Sequence, residues 1–216
     1  MKKLTIGGLF LMTAVLFGSI AISGTENNSG KFGVSGAPGE GNCTQCHSGN
    51  ALNHSSGSVS ITSTGGPNYT PGETDTLTIT IARSGSPKYG FCLSAQANGQ
   101  TVGTYTLLEP TRTQTGTQAG KTYVSHRSNA GSSSTGSTTF TVAWTAPATN
   151  IGDITFFVSA NAVNGNGGTS GDFVFTSTLD VSPNIPSSLD KNNLLQAFRY
   201  FPNPATDQVA LEANFP

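Results

Sequence analysis

Charge is what this 216-residue sequence has least of. It carries 10 Lys and Arg against 11 Asp and Glu, a net of −1, and only 10% of its residues are charged. No stretch gathers basic residues, which excludes the electrostatic footprint of a nucleic-acid binder. Methionine is nearly absent, with Met1 and Met12 the two copies. Tryptophan occurs once, and cysteine and histidine three times each. No paired carboxylates and no Ser/His/Asp arrangement stand out, so nothing points to hydrolysis, and the chain reads as non-enzymatic. Beyond one N-terminal run, no segment is apolar enough to span a bilayer. No long helical pattern precedes residue 190.

What is present begins with export. Met1-Lys2-Lys3 is followed by an apolar run from Leu4 to Ile22, with small residues at Ala21-Ile22-Ser23. This is the pattern of a secretory signal peptide over residues 1–23, cleaved near Ser23–Gly24. No cysteine lies at that boundary, which argues against a lipoprotein. An uncleaved anchor is the alternative, and membrane contact is otherwise expected only through surface anchoring. The expected location is extracellular or on the outer cell surface, where disulfides persist.

Gly, Ser, Thr and Asn dominate the rest, with β-branched and aromatic residues between them. From Gly57 the apolar residues fall into period two: Val59 and Ile61, then Leu77, Ile79 and Ile81. Strands with one packed face read this way. Tyr69-Thr70-Pro71-Gly72 reads as a turn. Further strands are expected over Tyr89–Ala97, Val102–Leu108, Lys121–His126, Thr138–Trp144, Ile154–Ala162 and Asp172–Val181. About eight strands over roughly 125 residues predict an all-β, immunoglobulin-like sandwich. Its core should hold Trp144, Phe91, Phe140, Phe156 and Phe173. The expected division is a loop segment over 24–56, the sandwich over 57–182, a Pro/Ser-rich linker over 183–199 and a short C-terminal piece over 200–216.

The loop segment contains Cys43-Thr44-Gln45-Cys46-His47. This C-x-x-C-H spacing is that of covalent c-type haem attachment. Each thiol can form a thioether to a haem vinyl group, and the histidine that follows is held as axial ligand to the iron. Cys43 and Cys46 are thus the candidate cofactor attachments and His47 the candidate iron ligand. A methionine sixth ligand is excluded from the mature chain, because Met1 and Met12 leave with the signal peptide. The remaining candidates are His126, at the end of a strand, and His54, seven residues after His47. The rival reading of the cysteine pair is a local disulfide or reactive dithiol. A zinc site would need four N/S ligands, and adjacent Cys46 and His47 make that geometry awkward. Cys92 reads as a buried thiol acting as a small hydrophobe. Asn161, Asn164, Asn166 and Asp172 form an oxygen-rich stretch that could take calcium, but one carboxylate is too few to support it.

Two resemblances follow from these residues. Tyr200-Phe201-Pro202-Asn203-Pro204-Ala205-Thr206-Asp207 looks like the start of the C-terminal sorting domain of the type IX secretion system. That implies delivery by outer-membrane secretion machinery. The central part resembles the choice-of-anchor V family, related to the Reeler domain, over about residues 36–181. It is carried by Gly36–Gly49 with its C-x-x-C-H string, Tyr69-Thr70-Pro71-Gly72, Tyr89-Gly90-Phe91, Trp144-Thr145-Ala146-Pro147 and the stretch from Phe156-Phe157 to Gly171-Asp172. The resemblance implies a secreted or surface-attached, Reeler-like β-sandwich behind a haem-motif loop, with no settled activity. It also favours His126 over His54, and Cys92 departs from the polar residue it leads one to expect. The expectation is therefore a surface protein with one covalent haem c, serving electron transfer or redox sensing with a redox partner protein. The alternative is an adhesion or ligand-binding module with a structural Cys43–Cys46 disulfide.

Overall fold

The computed structural model describes residues 29–128 and 130–184, together with the backbone of two short strands at 198–201 and 210–213. The expected signal peptide and its cleavage point lie outside the described residues. So do 185–197 of the expected linker, and 202–209 and 214–216 of the C-terminal piece.

Strands are the regular structure of the described chain, apart from one single 3-10 turn. In order, the strands are β1 (Ser48–Gly49), β2 (Gly57–Ser63), β3 (Asn68–Tyr69), β4 (Thr74–Arg83), β5 (Lys88–Ala97), β6 (Gln100–Thr101) and β7 (Thr104–Leu107). Then come β8 (Thr113–Gln118), β9 (Lys121–His126), β10 (Ser137–Thr145), β11 (Ile154–Val163) and β12 (Ser170–Pro183), with a separate hairpin of β13 (Phe198–Phe201) and β14 (Ala210–Ala213). No helix among the described residues is long and apolar enough to cross a membrane. The larger sheet runs β1-β12-β11-β5-β9-β8, with β3 beside β12 and β6 beside β5. The smaller sheet runs β2-β4-β10-β7. Pairing is antiparallel except where β1 and β3 lie parallel to β12.

Period-two patterning explains the core. Leu77, Ile79 and Ile81 of β4 and Phe140, Val142 and Trp144 of β10 face Phe91, Leu93 and Ala95 of β5 and Phe156, Val158 and Ala160 of β11 in one buried cluster. Each large side chain so buried contributes roughly 1.5–3 kcal/mol relative to exposure. Trp144 stands edge-on to Phe156, ring centroids 4.9 Å apart, and donates its indole N–H to Val102 O at 3.1 Å. The all-β sandwich read from the sequence is thus the observed fold.

Three details differ. Tyr69, read as part of a turn, is a core residue: it is buried, and its hydroxyl donates to Gly152 O at 2.9 Å. Phe173, read as core, is only partly buried at the edge, with the Arg83 guanidinium 3.6 Å from its ring centroid. Strand β8, Thr-Gln-Thr-Gly-Thr-Gln, has no apolar alternation to betray it. It is an edge strand, and its Gly116 leaves room for the Phe32 ring, which comes within 2.1 Å of where a Cβ would stand.

One feature positions the site. Strand β5 is buried on both faces from Tyr89 to Gln96. Its inward residues fill the core. Its outward residues lie beneath the irregular segment 30–47, which returns over the outer face of the larger sheet. Phe32 and Val34 pack there on Cys92 and Tyr123.

Candidate functional site

Segment 30–47 is held down by polar groups. The Glu40 carboxylate accepts from Ser35 Oγ (2.7 Å), Gln96 Nε2 (2.7 Å), Tyr123 OH (2.8 Å) and Lys121 Nζ (3.1 Å). Burial works to raise its pKa, but the hydrogen bonds from these four side chains outweigh that, so it lies below the usual glutamate value. Ser94 Oγ donates to Ser35 Oγ at 2.9 Å. Buried polar groups need partners, and each partner here comes from the segment or from a neighbouring strand.

The segment ends in the C-x-x-C-H string. Asn42 caps a single 3-10 turn at Cys43–Gln45, its Oδ1 accepting from Thr44 N at 2.8 Å. The turn lies on β11, where Cys43 N–H donates to Ser159 Oγ at 2.9 Å. Cys43, Cys46 and Cys92 stand as separate thiols in this structure. Burial pushes the Cys43 thiol up to about 11. A reactive dithiol needs the opposite shift. Cys92 is fully buried on β5, and burial raises its pKa as well, in line with a small hydrophobe.

His47 carries the most informative geometry. Its Nδ1 lies 2.6 Å from Oδ2 of Asp172, a fully buried carboxylate at the start of β12. The other Asp172 oxygen accepts from Asn164 N at 3.0 Å. The carboxylate can only accept, so Nδ1 carries the proton and Nε2 keeps its lone pair. That lone pair now accepts from Asn161 Nδ2 of β11 at 2.9 Å. Among the described residues, the hydrogen-bond partner of Nε2 is thus an amide and not a hydroxyl or thiol.

His47, Cys43 and Cys46 line one cleft of about 480 Å³, and His126 lines it too. That volume lies within the roughly 300–1,000 Å³ of ligand and cofactor pockets. His54 does not line it: its Nδ1 lies 3.0 Å from Ser56 Oγ, and its ring meets Phe173 edge-on. The His126 ring fills a gap in the sheet. Strands β5 and β9 pair only at Cys92↔Ser125 and Leu93↔Val124. The next amide along, Phe91 N–H, donates instead to His126 Nδ1 at 3.0 Å, and Phe91 O accepts from Ser125 Oγ at 2.6 Å. Gly90 leaves the space this needs. A Cβ there would lie 2.4 Å from His126 Cε1 and 2.6 Å from Asn161 Oδ1. Burial lowers the His126 pKa, and nearby His47 adds to the effect.

Among the described residues, no group of three or more His, Cys, Asp or Glu side chains is placed to hold a bare metal ion. The stretch weighed for calcium turns its groups on the protein: Asn164 and Asn166 both donate to Ser170 O at 3.0 Å, and both Asp172 oxygens are taken as above. Haem asks for less, since its macrocycle supplies four nitrogens and the protein need offer only axial ligation.

Sequence reasoning weighed Asn161 and Asp172 only for calcium and missed both as partners of His47, and it missed Ser159 and Glu40. For Asn161, Ser159 and Asp172 the signal was weak, because polar residues on the outward face of a strand look like a solvated face, and Glu40 sits in an irregular stretch with no pattern at all.

Residues 58–163 match the Reeler domain model. The Reeler-matched segment contains His126 and Asn161, while Cys43–His47 and Asp172 lie outside it. No curated protein matches the chain. Among solved structures, the Reelin-N domain of F-spondin is similar at 16% identity, over 66% of this chain and 96% of that one, with a TM-score of 0.45. A human F-spondin reeler domain is similar at 18% identity, over 62% and 95%, with a TM-score of 0.40. A cohesin module from a Clostridium perfringens family 33 glycoside hydrolase is similar at 14% identity, over 59% and 96%, with a TM-score of 0.46.

Proposed function

We propose that this protein is an exported, surface-associated β-sandwich that carries one covalent c-type haem in the cleft between segment 30–47 and the larger sheet. Cys43 and Cys46 would hold the haem covalently, and His47 Nε2 would ligate its iron. When bound, the haem supplies a one-electron redox centre, which suits electron transfer to a redox partner protein or redox sensing. One observation carries this reading: buried Asp172 holds the His47 proton on Nδ1, and so keeps the Nε2 lone pair available beside the two thiols. A carboxylate behind a histidine is the usual outer partner of a metal-ligating imidazole. The Asn161 amide, which now occupies Nε2, must turn aside to admit an iron. Segment 30–47 then orients the attachment turn, and the walls of the cleft exclude water. The leader over 1–23 and the sorting segment over 200–216 fit delivery to the outer cell surface by outer-membrane secretion machinery.

The test is expression in a host with cytochrome c maturation machinery, followed by intact mass and a visible spectrum. The expected result is a coloured protein one haem heavier, with the added mass on the Cys43–Cys46 peptide. Cys43→Ala with Cys46→Ala should abolish it. A colourless protein of unmodified mass under those conditions would overturn the reading. It would favour the second one, an adhesion or ligand-binding surface module, which the Reeler match supports because the matched segment excludes the C-x-x-C-H string.

A further inference from the structure

The geometry points to His126 as a hydrogen-bond donor to a small exogenous ligand on the haem iron, and not as the iron's sixth ligand. This rests on the haem reading above and concerns the second histidine that lines the cleft.

The argument is one of tautomers. An imidazole binds iron through a nitrogen that carries no proton. Phe91 N–H points at His126 Nδ1 from 3.0 Å, in the gap where the β5·β9 ladder stops. An amide N–H can only donate, so Nδ1 must accept. The neutral ring then carries its proton on Nε2. Moving that proton to Nδ1, to free Nε2 for iron, sets two donors against each other and strips Phe91 N–H of its partner. Phe91 O gives little relief: it already accepts from Ser125 Oγ at 2.6 Å and lies 3.3 Å from Nδ1.

His126 lines the cleft, so this places an N–H donor, Nε2–H, in its wall. Nε2 lies 2.7 Å from where a Cβ on Gly90 would stand, on the side of Gly90 that Asn161 Oδ1 also borders. Both Gly90 and Asn161 line the cleft. Among the described residues, His126 is the one other imidazole there, since His54 lies elsewhere, and both methionines fall in the expected leader. With neither a second free imidazole nor a methionine beside it, a bound iron would be open to a small molecule from solution. A fixed N–H donor favours ligands that gather negative charge on binding iron, such as diatomic gases and small anions.

The experiment uses the purified haem-loaded protein, with carbon monoxide as probe of the ferrous form and azide as probe of the ferric form. The ferric spectrum should be high-spin, and carbon monoxide should bind without displacing a protein ligand. His126→Ala should keep the covalent haem and weaken azide by about tenfold or more, the usual worth of a hydrogen bond to a charged group. His126→Gln should recover much of the affinity, because a glutamine amide can accept from Phe91 N–H and still donate into the cleft. A low-spin ferric spectrum that His126→Ala turns high-spin makes His126 the ligand, and overturns this inference while leaving the haem reading intact. A low-spin spectrum indifferent to His126→Ala, or azide affinity unchanged in both variants, overturns it as well. Absence of covalent haem overturns the reading beneath it, and this inference with it.

Discussion

Asp172 and Gly90 show how much of the site turns on single side chains. The Asp172 carboxylate strengthens His47 as a donor by drawing on its Nδ1 proton. Asp172→Asn keeps the shape and removes the charge, and losses of this kind typically change metal affinity 10–100-fold. If the proposed haem is bound, loss of that charge should favour the less positive ferrous iron, so its midpoint potential should rise, as potentiometric titration would read. An unchanged potential would show that the hydrogen bond does not tune the iron. Gly90 is tested sterically. A Cβ there would stand 2.4 Å from His126 Cε1, so Gly90→Ala must push the ring out of its gap. We expect a cost of about 1–3 kcal/mol, read as a lower Tm, together with weaker ligand binding in the cleft.

At the scale of the element, segment 30–47 behaves as a strap fastened through Glu40. The Glu40 pKa is lower folded than unfolded, so the stabilisation it gives is fully present above the unfolded value near 4.3 and is lost as pH falls through the folded one. The protection of the segment's amides, measured against their intrinsic exchange rates at each pH, should therefore fall below about pH 4, with the core strands still protected. Glu40→Gln should cost about 1–3 kcal/mol at neutral pH and flatten that pH dependence. Equal protection in both proteins at pH 3 and pH 6 would contradict this. The strap also explains what was legible beforehand. The inward faces of β4, β5, β10 and β11 were readable, because alternation is a local signal and burial on one face creates it. The outward faces were not. Ser94, Gln96, Ser159 and Asn161 look like solvated positions until a segment 50 or more residues away is known to cover them. His47 and Asp172 stand 125 residues apart, and no short-range pattern could have joined them. The C-x-x-C-H string was legible because its five residues are contiguous.

At the scale of the whole molecule, two sheets share one core, so a deep substitution should be felt throughout. Phe156→Ala removes a ring packed on Trp144 and should cost about 3–5 kcal/mol. A two-state sandwich would show this as a lower denaturant midpoint at unchanged slope. A changed slope would mean that the sheets unfold separately. Sequence distance also gives the molecule a history. A chain that crosses a membrane N-terminus first presents Cys43, Cys46 and His47 before Asn161 and Asp172 have emerged. A group joined to the thiols at that moment is joined to unfolded chain, and the sandwich closes around it. A group offered later meets Cys43 already seated on β11 with its thiol shielded. The order of emergence therefore separates a window in which the turn can be modified freely from a finished state in which it is guarded.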